Sequence, residues 1–131
     1  MLFGGAAVSW RSTRQHSISM SSTEAGIIAA SDAALEIIYI RGLLAEMGFR
    51  QEKPTVLYVD NSGAVELSRD LKSCQRSRHV ERRYLKIREL VAAGEIEVRS
   101  IDTKDNHADF YTKSTLDKAT FTRHVKAVKG N

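Results

Sequence analysis

Apolar residues recur at helical spacing over the first third of the chain. Ile27, Ala30, Ala34, Ile37, Ile38 and Leu44 fall on one side of a helix, Ser21-Ser22-Thr23-Glu24 precede them and Gly48 follows. This pattern predicts a helix from Ser22 to Met47 with a glycine stop. Pro54 then breaks the chain, and Thr55-Val56-Leu57-Tyr58-Val59 is β-branched and aromatic with no polar residue after Thr55. Such a run predicts a strand buried on both faces of a parallel sheet. Asp60-Asn61-Ser62-Gly63 ends it, and a short helix through Ala64-Val65-Glu66-Leu67 is expected. After a polar loop around Lys72 to Ser77, the stripe Tyr84, Ile87, Leu90 and Val91 predicts a second long helix from Val80 to Ala93, stopped by Gly94. Glu95 to Ile101 alternates, with Ile96, Val98 and Ser100 against Glu97 and Arg99, which is the period of a half-buried strand. At the front, Leu2-Phe3, Gly4-Gly5 and Ala6 to Trp10 read as a strand end, a tight turn and a second strand. Trp10 is expected to pack in the core or on a sheet face. A short helix is expected from His107 to Tyr111, and some helix near Phe121 to Val128. The order of elements specifies an α/β or α+β chain with a mixed sheet.

Composition narrows this picture. A length of 131 residues is one domain by size. The single cysteine, Cys74, excludes an intrachain disulfide and fits a reducing compartment. No zinc-ligand spacing occurs. No apolar run approaches the roughly 20 residues of a membrane span, and the N-terminus lacks a signal-peptide layout, so a soluble intracellular protein is expected. The net charge of +4 says little by itself. Its placement says more: Arg69, Lys72, Arg76, Arg78, Arg82, Arg83, Lys86 and Arg88 stand against only Asp70 and Glu81. This cluster is either a phosphate-facing surface or a solvated helix face.

Three carboxylates stand where chemistry could use them. Asp60 ends a buried strand, at the edge where open α/β sheets hold ligands, a position that favours function over the alternative that Asp60 or Asn61 merely caps the next helix. Glu24 fits a capping box opened by Ser21. It also shares the inward stripe with Ile27, Ile28 and Ile38, where a carboxylate is costly unless paired or metal-bound. Asp109, between Ala108 and Phe110, is by position an ordinary surface acid. Hard oxygen donors without cysteine suit magnesium or manganese. Two such ions roughly 3.5–4 Å apart can hydrolyse a phosphodiester.

Four runs together resemble one family. Ala7-Val8-Ser9-Trp10-Arg11-Ser12 followed by Ser21-Ser22-Thr23-Glu24-Ala25 resembles the pattern AVSWRSKKQ…SSTEAEY of copia-type retrotransposon ribonuclease H domains. Tyr58-Val59-Asp60-Asn61-Ser62-Gly63-Ala64 resembles its strand end CDNQSA. Ser77-Arg78-His79-Val80-Glu81-Arg82-Arg83-Tyr84 resembles TKHIDIRYH, and Ala108-Asp109-Phe110-Tyr111-Thr112-Lys113 resembles ADIFTK. The four occur in order over about residues 6–113. The resemblance implies a ribonuclease H-like fold over 1–113, lacking its first strand, with a basic tail over 114–131. It implies a Pol polyprotein nuclease that cuts the RNA strand of an RNA–DNA hybrid. By motif match, Glu24, Asp60 and Asp109 would be catalytic metal ligands for Mg2+ or Mn2+. Arg76, Arg78, His79, Arg82, Arg83 and Lys86 would face the nucleic acid. The reverse transcriptase portion of the parent polyprotein would be a partner, no membrane would be involved, and the location would be cytoplasmic, within virus-like particles, or nuclear.

The chain also departs from the pattern. EAEY is Glu24-Ala25-Gly26-Ile27 here, and the run after Lys113 is Ser114-Thr115-Leu116 rather than PL. The family's first catalytic aspartate precedes the glycine-turn hairpin, a place with no residue ahead of Met1. Three carboxylates are therefore expected where the family uses four, with a weakened second metal site and low activity. The alternatives are a non-catalytic hybrid-binding module and an inactive remnant of a degenerate element. Cleavage of a labelled hybrid separates the first reading from these, and salt-dependent binding separates them from each other.

Overall fold

The computed structural model describes residues 1–12, 22–59, 78–108 and 117–130. They form a mixed α/β structure: β1 (Leu2–Phe3), β2 (Ala6–Ala7), α1 (Ser22–Glu46), β3 (Thr55–Val59), α2 (Arg78–Ala92), β4 (Ile96–Ser100), a 3-10 turn (Thr103–Asp105) and α3 (Lys118–Lys129). The chain divides into two compact units, one of Ser17–Ile101 and one of Met1–His16 with Asp102–Asn131.

The larger unit is a parallel strand pair with two helices. Ile27, Ala30, Ala34 and Ile37 of α1 are buried, as are Val80, Tyr84, Ile87 and Leu90 of α2. Both helices end in the same way. Gly48 (φ 88°) and Gly94 (φ 72°) are in the left-handed region that costs a glycine little. The Gly48 and Phe49 amides donate to Ala45 and Leu44, and those of Gly94 and Glu95 to Val91 and Leu90. Each is a Schellman turn, which satisfies the last carbonyls of its helix. The glycines foreseen as stops act as stops.

β3 and β4 run parallel, with Thr55 opposite Ile96 and Val59 opposite Ser100. Leu57 and Ile96 are buried. The expectation that β3 is buried on both faces is corrected here: Tyr58 is 52% exposed. Its neighbour in register is Arg99. Because side chains alternate along a strand, β4 places Glu97 and Arg99 on the face that carries Tyr58, so only the opposite face is apolar. Arg99 pairs with Glu97 at 2.7 Å on that polar face. Val91, expected in the apolar stripe of α2, is exposed, because burial in the last turn passes to Leu90.

Arg41 ties this unit together. Its guanidinium donates to the carboxylate of Glu95 (2.8 Å), to the carbonyls of Lys53 (2.8 Å) and Gln51 (2.8 Å), and to the hydroxyl of Thr55 (3.0 Å). One side chain from the last turns of α1 thereby fixes the lead into β3 and the lead into β4.

In the smaller unit, Gly4 (φ 60°) and Gly5 (φ 86°) make the two-residue turn between β1 and β2. Positive φ at both central positions is the type I′ geometry that matches strand twist. Leu2 stands opposite Ala7 and Phe3 opposite Ala6. Trp10 is 63% exposed rather than packed in a core or on a sheet face. The reason is that β2 ends at Ala7, so Trp10 lies beyond the strand. The stretch read as a basic tail contains α3, capped by Asp117, whose carboxylate accepts from the Ala119 and Thr120 amides at 3.0 Å each. The bonds to Thr120 hold that carboxyl below the usual carboxylate range. A side chain at Gly130 would put its Cβ 3.1 Å from that of Ala6, so the end of α3 lies close against the hairpin. The expected helices at 64–67 and over the latter part of 107–111 fall outside the described residues.

The buried side chain of α3 is His124. Its Nδ1 lies 2.9 Å from Nδ1 of His107, with the rings edge to face at 85°. Its Nε2 is buried without a hydrogen-bond partner. An orphaned buried N–H is the costlier kind of unpaired group. His124 therefore keeps its proton on Nδ1 and donates to His107. Burial, and then the neighbouring His124 and Arg123, hold His107 below the ordinary histidine range, with Asp105 opposing. A depressed folded value means that the contribution to stability is fully present above about pH 6.5 and is lost as pH falls through the lower folded value. Thermal melting in EDTA is thus expected to show a falling midpoint on acidification from neutral pH, and His107→Gln is expected to flatten that slope. A midpoint that rises over this window would reverse the sign of the coupling.

Candidate nucleic-acid and metal site

Glu24 lies in the first turn of α1 and is buried, 9% exposed, three residues before Ile27 and seven before Ser31, which are also buried. The inward stripe foreseen for α1 thus begins with a carboxylate. Its proposed capping partner Ser21 lies outside the described residues. So do Asp60, the residue after the last position of β3, Asp109 and Arg76. Among the described residues no group of three or more His, Cys, Asp or Glu side chains is arranged to hold a metal ion. The donor chemistry of Glu24 suits a hard divalent cation: it is an oxygen ligand largely withdrawn from bulk water on the buried stripe of α1.

α2 carries the basic residues singled out from the sequence. Arg78, His79, Arg82 and Lys86 are exposed. Arg78, Arg82 and Lys86 follow at intervals of four, which sets them in one row along the helix. Lys86 also pairs with Glu89 at 3.1 Å. Arg83 lies differently. Its guanidinium forms an ion pair with Asp32 of α1 and reaches the carbonyl of Ile28 at 3.5 Å, with 39% of the side chain exposed. It crosslinks the helix that carries Glu24 to the helix that carries the basic row. Arg88 stacks over Tyr84, its guanidinium carbon 5.9 Å from the ring centre.

Sequence reasoning did not single out Arg41, the Arg83–Asp32 pair or the His107–His124 pair. A signal existed for Arg41 alone. An arginine four residues after Ile37 lies on the buried stripe and must find partners there.

No protein-family model and no solved structure matches the chain. Relatives do match. The chain is 39% identical over 111 residues to the retrovirus-related Pol polyprotein from transposon TNT 1-94 of Nicotiana tabacum, which covers 85% of this chain and 8% of the polyprotein. It is 33% identical over 128 residues to the retrovirus-related Pol polyprotein from transposon RE2 of Arabidopsis thaliana, covering 96% of this chain and 9% of that protein. The polyprotein from transposon RE1 of the same plant is 36% identical over 110 residues, 84% of this chain and 8% of its own length. The relatives of this chain are therefore retrovirus-related Pol polyproteins of plant transposons, and it corresponds to 8–9% of their length.

Proposed function

We propose that the chain is the ribonuclease H portion of a copia-type Pol polyprotein, a divalent-metal nuclease segment that engages RNA–DNA hybrids. The observation that carries this reading is the burial of Glu24 at the head of the α1 stripe, beside a neighbouring helix with an exposed basic row. Glu24, Asp60 and Asp109 are the residues that would hold Mg2+ or Mn2+. When bound, such ions activate water and stabilise the leaving oxygen of a phosphodiester. The protein's own part is to place the carboxylates and to grip the duplex. Arg78, Arg82 and Lys86, with His79 beside them, offer phosphate contacts along one row, and Arg83 keeps that row in register with α1. The natural partner is the remainder of the polyprotein, its reverse transcriptase portion in particular, in the cytoplasm or within virus-like particles.

The motif matches supply three carboxylates, Glu24, Asp60 and Asp109, and hydrolysis of a hybrid in millimolar Mg2+ or Mn2+ is the activity they would serve. Asp32 and Asp105, which could otherwise complete the set, are engaged by Arg83 and by Arg123. Cleavage of a labelled hybrid tests this. Efficient hydrolysis that vanishes in Asp60→Asn would show that a further acid completes the site.

Contact with phosphates rather than bases has its own signature. Affinity should fall steeply with salt and depend little on sequence, because the A-form-like duplex presents backbone and shape. Arg78→Ala with Arg82→Ala is expected to reduce the slope of log affinity against log salt by about 2, one for each lost phosphate contact. A slope equal to that of the unaltered chain would move the contact surface off α2.

A further inference from the structure

We propose that the outward face of α1 is a docking surface for a second copy of this chain.

α1 has two apolar sides. Ile27, Ala30, Ala34 and Ile37 lie in the core of the larger unit. On the opposite side Leu35, Tyr39, Leu43 and Met47 recur every four residues and are exposed, Tyr39 by 69% and Met47 by 61%. At 1.5 Å of rise per residue this ridge is about 18 Å long. The Schellman turn that closes the helix adds Phe49, also exposed, at its far end. From Leu35 to Met47 the exposed positions carry only two charges, Glu36 and Glu46. A solvated helix face is made mostly of charged and polar residues, and a helix that is apolar all round is ordinarily buried all round. The outward side of α1 has the composition of a buried side and no cover among the described residues.

Gly42 is a second, independent observation. It lies inside α1, where glycine is the poorest helix former after proline. Its φ is not positive, and a Cβ there would meet nothing within 4 Å among the described residues. Neither its backbone conformation nor the packing around it requires glycine. A close approach by another helix does. The row beside the ridge is Ile38, Gly42 and Glu46, and Gly42 empties its middle, leaving a groove next to Tyr39. Ridges of this four-residue spacing seat in such grooves when two helices cross at about 50°.

The occupant follows from shape. One face offers both the ridge and the groove, which is what a two-fold pair requires, since the same patch must complement itself. Tyr39 and Leu43 of each copy seat against Gly42 of the other. The five exposed side chains make a patch on the order of 600 Å2, at the upper end of what monomers show to water. Pairing removes about 1,200 Å2 in all, the lower edge of specific interfaces. The pair is therefore a weak one, formed at micromolar rather than nanomolar concentration.

Sedimentation velocity of the full chain between about 1 and 300 µM tests this, with thermal melting of dilute samples as control. The unaltered chain should pass from monomer to dimer with a dissociation constant of about 10–100 µM. Gly42→Leu raises helix propensity and adds apolar surface, yet it fills the groove. Its dissociation constant should rise about tenfold or more while the melting midpoint holds or rises. Tyr39→Glu, altered at an exposed side chain, should leave the melt unchanged and weaken pairing by at least about tenfold, because it sets a charge in the ridge. If Gly42→Leu does not fold, Tyr39→Glu decides alone. Association that Gly42→Leu leaves unchanged or strengthens would be indiscriminate apolar contact, and it would overturn the proposal. A monomer throughout the concentration range overturns it, and so does any assembly that Tyr39→Glu leaves intact, since that assembly forms through another surface.

Discussion

Arg41→Ala is expected to lower the free energy of unfolding by about 3 kcal/mol, seen as a shift in the urea midpoint without a change in slope. The side chain is 14% exposed and holds four partners. Its loss leaves the carbonyls of Gln51 and Lys53 without their donor and removes the counter-charge of Glu95. Glu95 is 44% exposed, so water recovers part of its cost and the effect stays below that of a fully buried pair. Arg41→Lys should recover only a minor part. An ammonium has the charge but not the planar fork that reaches a carboxylate, two carbonyls and a hydroxyl together. A shift under 1 kcal/mol for the alanine variant would mean that the arginine network is not formed in solution.

Tyr84→Ala is expected to cost about 3–5 kcal/mol, the range for emptying a large aromatic position in a core. The ring is 1% exposed and lies on the buried stripe of α2 with Val80, Ile87 and Leu90. Against a total of about 5–15 kcal/mol for a domain, this leaves the chain close to unfolding at room temperature. Tyr84→Phe keeps the volume and should cost only about 1 kcal/mol, the worth of one hydrogen bond. Circular dichroism melts of the two variants separate ring packing from the hydroxyl. Equal losses would assign the effect to the hydroxyl and not to the cavity.

What the sequence made legible is what depends on near neighbours along the chain. The 3.6-residue period of α1, the β-branched run of β3, the alternation of β4 and the glycines at 48 and 94 are local signals, and each element lies within a residue or two of its expected place. Burial was read less well. Tyr58, Val91 and Trp10 are apolar enough for a core but exposed, because exposure depends on which element lies opposite, which no local pattern records. The polar ties were hidden for the same reason. Arg41 finds Glu95 54 residues on, Arg83 finds Asp32 51 residues back, and His107 finds His124 across 17. In the candidate site, the inward placement of Glu24 followed from its spacing to Ile27. Asp60 was marked by its position at the end of a strand as well as by motif, whereas Asp109 was picked out by motif, since position alone would leave it as a surface acid.

The proposal at the centre of this account is that Glu24 and Asp60 would serve one divalent cation site. Manganese titration of the isotope-labelled chain, followed amide by amide, tests it most directly, because paramagnetic broadening reports proximity to the ion whether or not any hydrolysis occurs. The expected result is selective loss of signal around residues 24 and 60 together, at manganese levels that leave the exposed acids Glu46, Glu52 and Glu97 untouched. Broadening that follows exposed carboxylates in general, or that reaches Asp60 without Glu24, would contradict it.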